Sequence, residues 1–152
     1  MFDNNEKQKA LEILEAYRLP TGGRYWWTQY PKRAVEEIVK LEDNTNARMT
    51  IKDGKLAWTE EIVNNFGTRF LISFTADKNH PYTAPKFNVI EPTLSEREKI
   101  HTWNDGSLCL MKPNEYSSSM TILEVRNIAA AWCFCVEAYA NTDVWPGAEA
   151  PH

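Results

Sequence analysis

Apolar residues in the first third of the chain return at intervals of three and four. Leu11, Leu14 and Ala10, with Ile13 and Tyr17, hold helical spacing over Glu6–Tyr17, which predicts a short amphipathic helix that Pro20, Gly22 and Gly23 then break. Pro31 opens a second helical stretch in which Ala34, Val35, Ile38, Val39 and Leu41 share one face, and Asp43, Asn44 and Asn46 end it in a turn. The centre reads as strands. Ala47–Lys52 and Lys55–Val63 flank Asp53-Gly54, a strong hairpin signal; Asn64–Gly67 makes the next turn, Arg69–Thr75 follows, and Lys86–Ile90 comes after a proline-punctuated stretch.

From Glu91 to Tyr116 the pattern loses its period, with Pro92, Gly106 and Pro113 pointing to irregular backbone. A structureless stretch of that length inside a compact domain is usually functional. Helical spacing returns over Ser119–Asn141, where Ile122, Val125, Ala129, Trp132, Cys133, Val136 and Tyr139 form one broad apolar face. A serine is the expected cap of that helix, with Thr121 and Glu124 as capping-box candidates. The tail from Asp143 is expected to pack as ordered coil. The organisation is therefore a single α+β domain over 1–152: a helical extension (1–29), a helix, a four-stranded antiparallel meander, a long loop, a long helix and a tail (142–152).

The loop holds the most informative residues. His80-Pro-Tyr-Thr-Ala-Pro85-Lys resembles the Tyr-Pro-Phe-x-Pro-Pro-Lys signature of ubiquitin-conjugating enzymes, Gly106-Ser-Leu-Cys109-Leu resembles their Gly-x-Ile-Cys-Leu active-site run, and Tyr116-Ser-Ser-Ser-Met-Thr-Ile122 resembles their Trp-Ser-Pro-x-Leu-Thr-Ile segment. All three occur in family order, over about Pro31 to Asn141. The resemblance implies a UBC-like fold. Departures point to the prokaryotic branch: the His-Pro-Asn motif is missing, its asparagine falling on His101, eight residues before Cys109, while Ala84 and Met111 stand where the family has Pro and Asp. The chain is similar to the stand-alone conjugating protein of short type II CBASS anti-phage systems, in which a cGAS/DncV-like nucleotidyltransferase is modified.

The resemblance makes Cys109 the candidate nucleophile. Acyl transfer needs a group that accepts an acyl chain and still leaves as its anion, which suits a thiol; the alternative is a small buried core residue. His101 is the candidate that acts on the thioester, donating to the oxyanion or serving as base, against the alternative of a loop histidine holding backbone. Asn104 and Asp105 are candidates for donating to the oxyanion or orienting the incoming lysine, and Asn-Asp-Gly is equally a good turn. Tyr116 and Ser117–Ser119 are candidate walls. His80 is read as scaffold and Cys133 and Cys135 as core and helix-face residues. Tyr25-Trp26-Trp27 either fills a gap between helices or docks a partner.

Composition narrows the field further. A net charge of −4 argues against non-specific nucleic-acid binding. The N-terminus lacks a secretory pattern and no apolar run nears the roughly 20 residues a membrane span needs, so a cytoplasmic location is expected. Three cysteines, without a C-x-x-C pair, fit free thiols. Zinc-ligand spacings and both glycine-rich nucleotide motifs are missing, so no metal or cofactor is expected. The partners implied are a protein that donates a C-terminal carboxylate (the nucleotidyltransferase or a ubiquitin-like protein) and an acceptor lysine. Two other readings remain: an inactive UBC-fold binding module, and a cysteine hydrolase built on Cys109 and His101.

Overall fold

A computed structural model of the chain describes Gln8, Glu12 and residues 25–52 and 55–146. The first predicted helix, the Asp53-Gly54 turn and the end of the tail therefore lie almost wholly outside the described residues; Gln8 and Glu12 are both helical. A single helical turn, α1 (Trp26–Gln29), leads into α2 (Pro31–Asn44), whose Pro31 occupies the first turn, where a missing N–H costs nothing. Four strands follow: β1 (Arg48–Lys52), β2 (Lys55–Val63), β3 (Arg69–Ala76) and β4 (Lys86–Glu91). They form one antiparallel sheet in the order β1-β2-β3-β4. The long helix α3 (Ile122–Thr142) closes the described fold. This is an α+β, UBC-like fold.

Alternation along the strands directs one face of the sheet inward. Leu56, Trp58, Glu60 and Ile62 of β2 are buried, as are Phe70, Ile72, Phe74 and Ala76 of β3. Trp58 pairs with Phe74 and Phe74 with Phe87 in register, and their rings stack across three strands at centroid distances of 5.5 and 4.6 Å. Against this face lie the stripe of α2 (Ala34, Val35, Ile38, Val39 and Leu41) and that of α3 (Ile122, Val125, Ala129, Trp132, Cys133 and Val136). Trp26 and Trp27 join the same core, so the aromatic cluster is packing and its two indoles are not a docking surface.

The long helix starts later than the spacing predicts. Its first residue is Ile122 and its cap is Thr121 rather than a serine: the Thr121 hydroxyl accepts from the Glu124 N–H at 3.1 Å. Ser117 and Ser119 instead bond each other through their hydroxyls, leaving the cap to the residue that adjoins the apolar run.

Two buried carboxylates tie the layers. Glu60, on the inner face of β2, receives Arg126 of α3 through both oxygens at 2.8 and 2.5 Å. Glu37, 1% exposed, has Oε2 at 2.7 Å from His80 Nε2, while its Oε1 accepts from the Ile122 N–H at 3.0 Å. Arg33 lies 3.7 Å from Glu37 and donates to the Ser118 and Met120 carbonyls at 2.9 and 2.7 Å. The Trp26 and His80 rings meet edge to face with their centroids 4.5 Å apart. One side chain thus joins α2, the His80 loop and the start of α3, and His80 is scaffold. Replacing Glu37 by Ala strands the Ile122 N–H and the His80 ring, and is expected to cost about 3–5 kcal/mol. Glu37→Gln, which keeps an acceptor, is expected to cost less; urea denaturation of the two variants gives the comparison.

Candidate functional site

The stretch after β4 is irregular, as the lost period predicts, but it is well bonded. A 3-10 turn, Glu98–His101, leads into a tight hairpin. Thr102 bridges Leu108, Trp103 N–H donates to the Ser107 carbonyl at 2.8 Å, and Cys109 N–H donates to the His101 carbonyl at 3.1 Å. Gly106 turns the tip at φ +87°, a conformation that only glycine adopts without strain. His101 and Cys109 therefore stand directly opposite each other across an antiparallel pair, a placement that puts side chains on the same side. Leu108 N–H donates to the Phe87 carbonyl at 2.8 Å, anchoring this hairpin to β4. From the other side, the Trp132 indole of α3 donates to the His101 carbonyl at 3.2 Å.

Both candidates are enclosed: Cys109 is 4% exposed and His101 3%. The His101 ring meets Tyr139 edge-on at 4.5 Å and Trp145 at 3.9 Å with a tilt of 31°. Cys109, although buried, lies outside the contiguous core cluster to which Cys133 belongs. Burial pushes the Cys133 thiol up to about 12, an effect the nearby Arg126 opposes and Glu60 adds to, so Cys133 is held as an inert thiol. The Cys135 thiol donates to the Pro146 carbonyl at 3.3 Å.

Asn104 and Asp105 are brought to the exposed tip of the hairpin, two rungs beyond the Cys109–His101 pair. Asp105 accepts from Lys86 Nζ at 2.8 Å, from the Ser107 hydroxyl at 2.6 Å and from the Ser107 N–H at 2.9 Å. The Lys86 ammonium first, and then these Ser107 donors, hold its carboxyl well below the usual carboxylate range, while the Asp105 carboxylate raises Lys86. Asp105 is thus an acceptor in the turn and carries no proton to give to an oxyanion.

Beside the hairpin lies an open cavity of about 400 Å³, walled by Tyr82, Pro85, Leu108, Leu110, Met111 and Tyr116 among others. Leu108 and Leu110 line it and the cysteine between them does not, the alternation of an extended chain. Tyr116 donates its hydroxyl to the Pro81 carbonyl at 2.7 Å, and burial pushes its phenol up to about 12. No group of three or more His, Cys, Asp or Glu side chains that could hold a metal ion occurs among the described residues. No described helix is long and apolar enough to cross a membrane.

A family model, that of the type II CBASS E2 protein, matches residues 37–152, which include the whole hairpin, the cavity and α3. The chain belongs to the type II CBASS E2 family. Membership gives it a conjugating-enzyme-like role and protein partners within a CBASS system. Comparisons with curated proteins and with solved structures gave no match.

Sequence reasoning did not find the ring contacts of His101 or the Lys86–Asp105 pair. Tyr139 was visible on the apolar face of the family's long helix, seven residues after Trp132, but nothing in the chain said where Trp145 would land. For the turn, the sign of the pH dependence follows from the lowered carboxyl. The Asp105 tie is fully present above the ordinary carboxyl value of about 4 and is lost only as pH falls through the lower native value. An NMR titration of Asp105 is expected to give a midpoint below about 3.9, and Lys86→Ala is expected to move it upward.

Proposed function

We propose that this protein carries the C-terminal carboxyl group of a partner protein as a thioester on Cys109 and passes it to an amine. The observation that supports this best is the placement of His101 opposite Cys109, within the segment that the family model covers. The Cys109 thiolate attacks the activated donor carbonyl, and an S–acyl bond forms as the donor's leaving group departs with its electron pair. An acceptor amine then attacks the same carbon. The C–N bond forms, the Cys109 thiolate leaves, and the amine gives up a proton to a base. His101 acts on the second step, where charge develops on the carbonyl oxygen and a positioned donor lowers the barrier. Asp105, a charged acceptor at the hairpin tip, attracts the incoming lysine ammonium, and Asn104 beside it offers an amide to the same group. The chain contains no nucleotide-binding motif, so the donor arrives already activated. The partner is a cGAS/DncV-like nucleotidyltransferase, in keeping with a CBASS setting, and three cysteines with no disulfide among them suit a reducing cytoplasm.

One observation favours a second reading. With only 4% of Cys109 exposed, a donor tail must open its way to the thiol, and a UBC-fold module that grips a partner without chemistry needs no such opening. Expression of the tagged protein in its host separates the two. An adduct that both reductant and hydroxylamine release, and that Cys109→Ala abolishes, is expected; Cys109→Ser is expected to trap it as an ester that reductant leaves intact. Partners retained equally by wild type and Cys109→Ala, with no adduct, would establish the binding module. In the purified protein, His101→Ala is expected to load normally and to slow discharge to lysine by roughly 10²-fold.

A further inference from the structure

The turn that carries His101 is gripped at both ends by the residues that follow the middle of α3. At its start, Arg97 lies over the Tyr139 ring at 5.0 Å and pairs with Asp143. At its end, His101 lies against Tyr139 and Trp145. Asp143 reverses the chain in the left-handed conformation (φ 65°), with its N–H bonded to the Tyr139 carbonyl at 2.8 Å. The segment 143–146 then runs back over the turn, where the Cys135 thiol holds the Pro146 carbonyl at 3.3 Å and Trp145 also meets Trp132 edge-on at 6.2 Å.

This strap meets a specific need. The last torsion of a histidine side chain is broad and close to two-fold, so the torsion alone does not fix the ring plane and the neighbouring rings take part in setting it. One ring at 83° and another at 31° to the imidazole leave it a single plane. We propose that Trp145 is a positioning residue for His101, and that the strap 143–146 sets the imidazole plane from which His101 acts on the thioester at Cys109. This rests on the reading of His101 given above. Trp145 does not touch the reacting atoms; it acts through the ring it covers.

The test uses the full purified chain. Cys109 is loaded from a glycine-terminated peptide thioester of mercaptoethanesulfonate and discharged with free lysine, with the two rates measured separately. Trp145→Ala is expected to load at the wild-type rate and to discharge about 10-fold or more slowly, since small misplacements of acting groups cost rate steeply. Trp145→Phe, which keeps a flat ring, is expected to recover most of the loss. In His101→Ala/Trp145→Ala, discharge is expected to be no slower than in His101→Ala alone. Discharge at the wild-type rate in Trp145→Ala, beside slow His101→Ala, overturns the proposal and leaves the role of His101 standing. A double variant slowed by the product of the single effects also overturns it, because Trp145 then acts independently of His101. Poor loading in both Trp145 variants overturns it too, by making the residue part of the general fold. Wild-type discharge in His101→Ala removes the role of His101 itself, and this inference with it.

Discussion

The main-chain pairing of Cys109 with His101 is the contact on which the candidate site depends. A loop without regular structure has few ways to hold two side chains in register, and a single antiparallel rung does so directly. That rung is secured from both sides, by Phe87 of β4 through Leu108 and by Trp132 of α3 through the His101 carbonyl. The hairpin therefore inherits its position from the two most regular parts of the fold. Its own residues need only turn, and Gly106 and Asp105 supply the turn.

Holding sheet, helices and loop in one arrangement falls to buried charge as well as apolar packing. Glu37 and Glu60 sit inside the protein, where an unpartnered carboxylate is strongly disfavoured. Each is satisfied by groups from distant elements: His80 and the Ile122 N–H for the first, Arg126 for the second. Apolar contacts tolerate sliding, whereas these carboxylates accept one geometry. Glu37 ties the start of α3 to α2 through the Ile122 N–H.

The same framework gives the cysteines different characters. Cys133 lies in the core beside Glu60, where burial disfavours its thiolate, and Cys135 is occupied with the tail. Cys109 lies on the loop, outside the core cluster and opposite a histidine, while its neighbours Leu108 and Leu110 line a cavity that it does not. That difference in surroundings is what the proposed thioester role of Cys109 rests on.

Much of this was legible along the chain. Helical spacing located α2 and α3, turn residues separated the strands into a meander, and three short motifs in order pointed to the family and to Cys109. These features are local: periodicity and turn chemistry act over a few residues, so they survive being read in one dimension. The start of α3 was missed by three residues because several hydroxyls compete for a cap, and Thr121 wins by adjoining the apolar run. The pairing of His80 with Glu37, the tie between Lys86 and Asp105, and the enclosure of His101 by Tyr139 and Trp145 were not legible. Each joins residues far apart in sequence, and a side chain's partner there is chosen by how helices and sheet pack. The sequence by itself determined the elements, their order and the residues able to do chemistry. Only the tertiary structure decided which of those residues meet, because burial and register are properties of packed surfaces and not of the chain.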